Sequence, residues 1–415
     1  MNLKAYLPGA LGNIVEWYDF AIYGFTAPVF AKLFFVDKNY AVNLIIVYGI
    51  FAASYLARPF GSFIYGPIGD RYGRKLALVI SVASMCVFVL LMGFLPTHQS
   101  VGFYAPLFLV LLRILQGLAA GGETAGSFIY VLESVSPKRQ GLYGSATQSA
   151  IIAGILIASG VTAIVSGSLS HAAYYSWGWR LLYFIGFIIG IIILLLRSFA
   201  KETEAFQKMK EDNTQSKTPI KDLFKYHKKN LLMTIGVVAA PSAGFYFTFI
   251  FLPNFINQHL GKALPRTLEI NSIIQIVLIV MLISFGYLSD FFGRKKFMVI
   301  ASIGMILLTY FIMWLLVGAS WGNIIAGQLL FALLIACYQG PMSAFIVNNT
   351  PISIRYTAIS LAYNTGFALF GGFALMGAEL FTYWFKLPAA ASFYWVFAGV
   401  VSLITLLSLK YLKTV

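Results

Sequence analysis

The sequence predicts an all-α integral membrane protein, with twelve transmembrane helices in two pseudo-symmetric bundles of six. Three observations predict it. The 415 residues are 60% hydrophobic and only 10% charged, against about 25% charged in ordinary soluble domains, too little charge to cover a water-facing surface. Apolar runs of about 20 residues, each long enough to cross a hydrocarbon core about 30 Å thick, recur from end to end. A loop of ten residues also occurs twice, at a constant offset of 220, after the second apolar run of each half.

Charged and Gly/Pro-rich punctuation divides the first half into spans near 10–34, 43–67, 76–95, 103–132, 141–166 and 179–199. The second half divides near 230–257, 268–289, 298–317, 322–347, 356–384 and 390–411. The expected domains are therefore a bundle at 1–199, a cytoplasmic linker at 200–229 and a second bundle at 230–415. Lys4 and Pro8 lead into a first span that carries Glu16 and Asp19, unlike the smooth apolar core of a cleavable signal peptide, so this span should be retained. The linker is rich in Lys, Glu, Gln and Ser, which predicts a mobile or surface-lying segment. A short amphipathic helix could place Phe206, Met209, Ile220, Leu223 and Phe224 against lipid headgroups. Cys86 and Cys337 fall inside apolar spans without CxxC spacing and read as packing residues, with no metal site.

A net charge of +15 would suggest nucleic acid for a soluble chain, but its placement decides otherwise. With the first span running outward, Arg71, Arg74, Lys75, Lys138, Arg139, Arg294, Lys295, Lys296 and Arg355 gather on one side, joined by the lysines of the linker. The opposite loops hold little beyond Lys38, Arg180, Lys262, Arg266 and Lys386. This is the positive-inside bias of a cytoplasmic membrane, with both termini cytoplasmic and no role for nucleic acid.

The repeated loop is Gly66-Pro67-Ile68-Gly69-Asp70-Arg71-Tyr72-Gly73-Arg74-Lys75 against Gly286-Tyr287-Leu288-Ser289-Asp290-Phe291-Phe292-Gly293-Arg294-Lys295. Parallel repeats of six spans about a central site are a transporter architecture. The paired loops resemble the hallmark loop of the major facilitator superfamily. Gly12, Asn13, Glu16, Trp17, Tyr18, Asp19 and Phe20 in the first span, Arg58-Pro59 and Gly61 in the second, and Arg113, Gln116, Gly117, Gly121, Gly122 and Glu123 in the fourth narrow the resemblance to its metabolite:proton symporters. Arg355-Tyr356-Thr357 with Tyr363-Asn364 fits the same family, so the likeness spans nearly the whole chain.

The resemblance implies transport of proline and betaine, 2-oxoglutarate, citrate, shikimate or similar solutes with protons, and no enzymatic activity. Osmosensing members usually carry a long C-terminal coiled-coil extension. This sequence ends at Val415, so gating by such a tail is not expected. The acidic residue expected after the tenth span, matching Glu133, is replaced by Asn348 or Asn349, so the gating contacts of the halves should differ.

A charge at the centre of a spanning helix costs about 2.5 to 3.5 kcal/mol, so each one retained there is a functional candidate. Glu16, Asp19, Arg58, Arg113 and Glu123 all lie in the first half, which places proton handling there. The spans of the second half offer only Glu379 and neutral polar residues such as Asn271, Gln275, Gln328, Gln339 and Asn364. Glu16 and Asp19 share a helix face, where repulsion favours protonation of one of them. Asp19 with Arg113 is the expected proton-coupling pair, with Glu16 and Glu123 as further sites. The competing reading is a set of static ion pairs that lock helices together.

Arg58, in a kink-prone stretch before Pro59, is the leading ligand for a substrate carboxylate, unless it neutralises Glu16 or Asp19. Tyr18, Tyr23, Gln116, Tyr246, Gln275, Tyr363 and Asn364 are the remaining substrate candidates, and an aromatic box with Trp17 and Phe245 would suit a quaternary ammonium. Against this, aromatics make up 16% of the chain, and packing accounts for most of them. Asp70, Arg71, Gly73, Arg74, Glu133, Arg139, Asp290, Gly293, Arg294 and Arg355 are expected to form cytoplasmic gates, the aspartates accepting from helix N-termini. No phosphate-binding loop is visible, so ATP drive is not expected.

The expectation is thus a monomeric, proton-coupled importer of a zwitterion of amino-acid or betaine type, needing no cofactor beyond protons. An organic-acid symporter is the alternative. A uniporter would ignore the proton gradient, an exporter should have a proline-containing fifth span, and a membrane sensor would need an output domain.

Overall fold

A computed structural model describes residues 3–35, 40–318 and 320–409, and every regular element within them is helical. Lys38 and the last residues to Val415 lie outside the described residues. The first half holds α1 (Leu3–Leu33), α2 (Tyr40–Arg71), α3 (Arg74–Gly93), α4 (Tyr104–Glu133), α5 (Pro137–Ser168) and α6 (His171–Ser198). Two short helices follow, α7 (Glu204–Glu211) and α8 (Pro219–Tyr226). The second half holds α9 (Lys228–Leu260), α10 (Leu264–Phe292), α11 (Arg294–Val317), α12 (Trp321–Asn348), α13 (Ile352–Phe385) and α14 (Pro388–Ser408). Among the described residues, eleven of these are long and apolar enough to cross a membrane, and α1, at 31 residues, has the length as well.

The pattern of burial shows which solvent these helices face. On α10 the residues at helical spacing, Thr267, Asn271, Ile274, Leu278, Leu282, Gly286 and Ser289, are buried. The opposite face exposes Ile273 at 60%, Ile276 at 55% and Val280 at 63%. Water would penalise such a surface and hydrocarbon does not, so the outward apolar stripe is the lipid face.

Two local irregularities position side chains. The run of α4 is interrupted at Gly121-Gly122, where a side chain on Gly121 would strike the carbonyl oxygen of Arg58 and the backbone of Gly61, so the glycines permit close approach of α2. Both α9 and α13 contain a π turn, at Phe247–Phe251 and Phe367–Gly371. Such turns break the regular hydrogen-bond ladder and recur at functional sites.

The chain forms two compact units. The first is Met1–Ser134, Ala150–Ile220 and Ile352–Leu361, and the second is Val135–Ser149, Lys221–Pro351 and Ala362–Val415. Each unit therefore includes the start of one helix, α5 or α13, from the opposite half of the sequence.

The linker departs from the sequence expectation. Rather than resting on headgroups, Phe206 and Met209 are buried, and the Arg74 guanidinium lies 5.3 Å from the Phe206 ring centre. Glu202 accepts from the backbone N–H of Lys75 at 3.1 Å at the start of α3. Burial raises the Glu202 carboxyl above its ordinary range, opposed by the N–H groups of Thr203 and Lys75. Tyr130 donates to the Lys201 carbonyl at 2.6 Å. The amphipathic pattern was legible, but Phe206, Met209 and Leu223 pack on this protein's own surface, while Phe224 is 40% exposed.

Candidate functional site

Three of the buried carboxylate–arginine pairs of the first unit lie within its spanning helices, and each closes a gap between helices that are distant in sequence. Asp19 on α1 accepts from Arg113 at 3.3 Å and from Gln116 Nε2 at 2.9 Å, both on α4. Arg113 also donates to Gln116 Oε1 at 2.8 Å and to Ser54 Oγ on α2 at 3.4 Å. Arg113 Nε has no hydrogen-bond partner among the described residues, although it is buried. One turn earlier on α1, Glu16 pairs with Arg58 of α2 and accepts from Thr124 of α4 at 2.7 Å. The Phe20 ring lies between these two pairs, 5.2 Å from the Arg58 guanidinium and 5.1 Å from that of Arg113. Its negative faces stabilise both cations.

The third pair gives Glu123 a partner that the sequence reading did not name. This residue meets Arg197, a residue of the last turn of α6, through bonds of 2.5 and 2.8 Å. Arg197 also donates to the carbonyls of Pro8, Gly9 and Leu78 at 2.7, 3.1 and 3.1 Å. Every N–H of the guanidinium is thereby used. A side chain at Gly12 would collide with both members of the pair, so this glycine is the seat of the bridge. The pair ties α4 to α6 and to the start of α1, and Arg197 was missed because a basic residue in a last turn reads as a simple anchor. The available signal was arithmetical: three carboxylates inside the spans of the first half, Glu16, Asp19 and Glu123, faced only two recognised arginines, Arg58 and Arg113.

Arg58, expected to face substrate, is instead committed to Glu16. Tyr18 and Tyr23 lie in the aromatic core, donating to the carbonyls of Leu182 at 2.9 Å and Val47 at 3.0 Å, so packing accounts for both. In the second unit the Tyr363 ring lies 4.5 Å from Phe367 at a tilt of 31°, and Tyr246 lies 6.4 Å from the same ring. Asn364 and Gln275 are buried there too.

The repeated loops have a shared design. Asp70 accepts from the backbone N–H groups of Tyr356 at 2.9 Å and Thr357 at 2.8 Å, and pairs with Arg74 at 2.9 Å. Asp290 accepts from Gly141 at 2.7 Å and Leu142 at 3.0 Å, and pairs with Arg294 at 3.1 Å. Each carboxylate thus caps the first turn of a helix that begins in the opposite half of the sequence, α13 or α5, where free N–H groups and the helix dipole favour a negative charge. The loop glycines, Gly73 at φ 129° and Gly293 at φ 97°, occupy backbone conformations that L-residues rarely adopt. That is why the repeat keeps Gly as well as Asp.

The surroundings of the two loops differ at Glu133 and Asn348. Glu133 joins Arg74 at 3.3 Å, Arg355 at 2.8 Å and the hydroxyl of Thr203 at 2.9 Å. Its counterpart Asn348 makes a neutral bond to Gln140 at 2.8 Å, and Gln140 accepts from Arg294 at 3.4 Å. Arg71 and Arg139 are exposed. Arg71 lies 5.4 Å from the Tyr72 ring centre. Replacing Asp290 by Asn weakens two charge-assisted bonds, each worth about 1.5–3 kcal/mol. Amide exchange at Gly141 and Leu142 should accelerate about tenfold or more, with Tyr356 and Thr357 unchanged.

Comparison with known proteins agrees with this architecture. The family model described as Major Facilitator Superfamily matches residues 9–375. The proline/betaine transporter of Salmonella typhimurium is 32% identical over 416 residues, covering 98% of this chain and 83% of that protein. A glycine betaine/proline/ectoine/pipecolic acid transporter of Dickeya dadantii is 32% identical over 377 residues, covering 89% of this chain and 75% of its own. Among solved structures, the proton:xylose symporter XylE bound to 6-bromo-6-deoxy-D-glucose superposes with a TM-score of 0.77 at 18% identity, covering 98% of this chain and 94% of that one. That likeness supports the fold. The chain belongs to the major facilitator superfamily, a family of membrane transporters and not of enzymes.

Proposed function

We propose that the protein is a monomeric proton-coupled symporter of the bacterial inner membrane, with cytoplasmic termini, that imports a small zwitterionic solute of amino-acid or betaine type by alternating access. The observation that carries the reading is the buried Asp19–Arg113–Gln116 triad with its unpartnered Arg113 Nε. Ionised Asp19 holds the guanidinium. Once Asp19 is protonated the charge attraction ends, and Arg113 gains a free face whose fork geometry suits a carboxylate. Proton binding on one residue and carboxylate binding on the next are then linked, which is what symport requires.

Charge balance favours a zwitterion over an organic polyacid. The membrane interior of the first unit holds Arg58, Arg113 and Arg197 against Glu16, Asp19 and Glu123, so no buried cation is left in surplus for a di- or tricarboxylate. The names of the relatives point the same way. The aspartate caps are read as latches that hold α5 and α13 in one state and release them in the other. No cofactor enters this reading: protons are the coupling ion.

The test is uptake of labelled proline and glycine betaine into proteoliposomes. A driving force of about 100 mV is worth about 2.3 kcal/mol per proton, which one proton per solute converts into about 50-fold accumulation. A protonophore should reduce this to simple equilibration. Uptake insensitive to the protonophore would reject the proton coupling.

A further inference from the structure

The carboxylate exchange at Arg113 has a costly interval. Once Asp19 is protonated and before solute arrives, a fully buried cation stands without its counter-charge. The acceptors that stay beside it, Gln116 Oε1 at 2.8 Å and the Ser54 hydroxyl at 3.4 Å, are neutral. Its other contacts are aromatic: the guanidinium carbon lies 4.2 Å over the centre of the Tyr23 ring, 5.1 Å over that of Phe20 and 6.0 Å over that of Phe51.

Tyr23 is fixed in this place by α1 and α2 together. Phe20 and Tyr23 are three residues apart on α1 and share a face, as do Val47, Phe51 and Ser54 on α2. The Tyr23 hydroxyl donates to the Val47 carbonyl at 3.0 Å. The Phe51 ring stacks on that of Tyr23 at 5.9 Å and 16°, and Phe30 packs against it at 5.3 Å. The packing that holds the ring therefore also aims its face at Arg113.

A ring face and a hydrogen-bond acceptor stabilise a guanidinium differently. An acceptor occupies an N–H, whereas the ring quadrupole attracts the charge and leaves the fork of N–H groups open. Arg197 shows the contrast, with every N–H engaged by Glu123 and three carbonyls. Arg113 is buried against rings and keeps its Nε without a hydrogen-bond partner among the described residues. The attraction is also strongest in the unpaired state, because a carboxylate in an ion pair cancels part of the charge that the ring meets.

We infer that Tyr23, assisted by Phe20, is a positioning residue of the transport cycle, whose ring clamps the Arg113 guanidinium between its release by Asp19 and its capture of the solute carboxylate. This rests on the symport reading above and deepens it. The clamp serves the carboxylate end of the solute, so proline and glycine betaine should respond to it alike.

The test weakens the ring face without changing its shape. Tyr23 is replaced by phenylalanine, as the reference, and by difluoro- and trifluorophenylalanine, whose fluorines withdraw electrons from the face. Kd for labelled proline and glycine betaine is measured on purified protein as a function of pH. Kd should be constant at low pH and rise about tenfold per pH unit once the solute-free protein loses its proton. Weakening the clamp disfavours only the protonated, solute-free state. From phenylalanine to trifluorophenylalanine the onset of the rise should therefore move down by about half a unit to one unit, the low-pH Kd should tighten about three- to tenfold, and the alkaline limb should stay within about twofold. The other titratable and charged groups around the site are Glu16 and Tyr18 of α1, Arg58 and Tyr55 of α2, and Tyr183 of α6, whose hydroxyl lies 3.0 Å from Thr26 Oγ1. None of them is altered in the series. The same substitutions at Phe30 are the packing control. Kd weakening equally at every pH, no movement of the onset, or the same movement from Phe30 would overturn the clamp, and symport stands if the wild type still accumulates solute with the gradient. A wild-type Kd that ignores pH for both solutes would overturn both.

Discussion

Asp19→Asn should leave a protein that exchanges solute across the membrane and no longer accumulates it. The change removes the titratable group and keeps size and hydrogen-bonding capacity, so the bond from Gln116 can be replaced while the charge on Arg113 loses its partner. The guanidinium is then permanently in the state that protonation normally produces. Accumulation driven by the proton gradient should fall from about 50-fold to equilibration, a loss of about 2.3 kcal/mol of coupled driving force at about 100 mV. Counterflow of labelled against unlabelled solute needs no net proton movement and should persist. If the pair were only a helix lock, both activities would fall together with the folded yield.

The second large effect is predicted for the buried Glu123–Arg197 bridge, and it is structural. Arg197→Met leaves Glu123 without a partner and the carbonyls of Pro8, Gly9 and Leu78 without their donor. Removing one member of a buried pair costs about 3–5 kcal/mol. Thermal unfolding in detergent should shift downward by many degrees, and Gly12→Ala should reproduce the shift, because its methyl group would displace the same pair. The double variant Arg197→Met with Glu123→Gln removes both charges together and should recover part of the loss. Whatever folds of it should still accumulate solute with the gradient. Loss of accumulation in a well-folded double variant would make Glu123 a proton site after all.

Much of this was legible because membrane solvation is so restrictive. Twelve spans, the repeated loop and the cost of a buried charge single out Asp19, Arg113, Glu16 and Arg58 without any coordinates. The partnering of Arg58 was left open, since composition does not say whether an arginine in a span meets a carboxylate of its own chain or of a ligand. Arg197 was hidden by its position at a helix end. The π turn at Phe247–Phe251 was hidden for another reason: Phe247, Thr248, Phe249, Ile250 and Phe251 read as an ordinary apolar run, and the widening depends on packing, with Asn271 of α10 taking the Phe249 carbonyl. Glu202 and Thr203 read as linker composition, yet their bonds to Lys75 and Glu133 tie the linker to the start of α3 and the end of α4.

The central claim is that solute and proton move together through Asp19. The most direct measurement is proton flux itself: proteoliposomes with no imposed gradient are mixed with solute, and the external pH is followed. The wild type should alkalinise the medium in fixed proportion to solute taken up, and Asp19→Asn should show solute exchange with no pH change. Solute entry into wild-type vesicles without any proton movement, or an undiminished proton signal from Asp19→Asn, would contradict it.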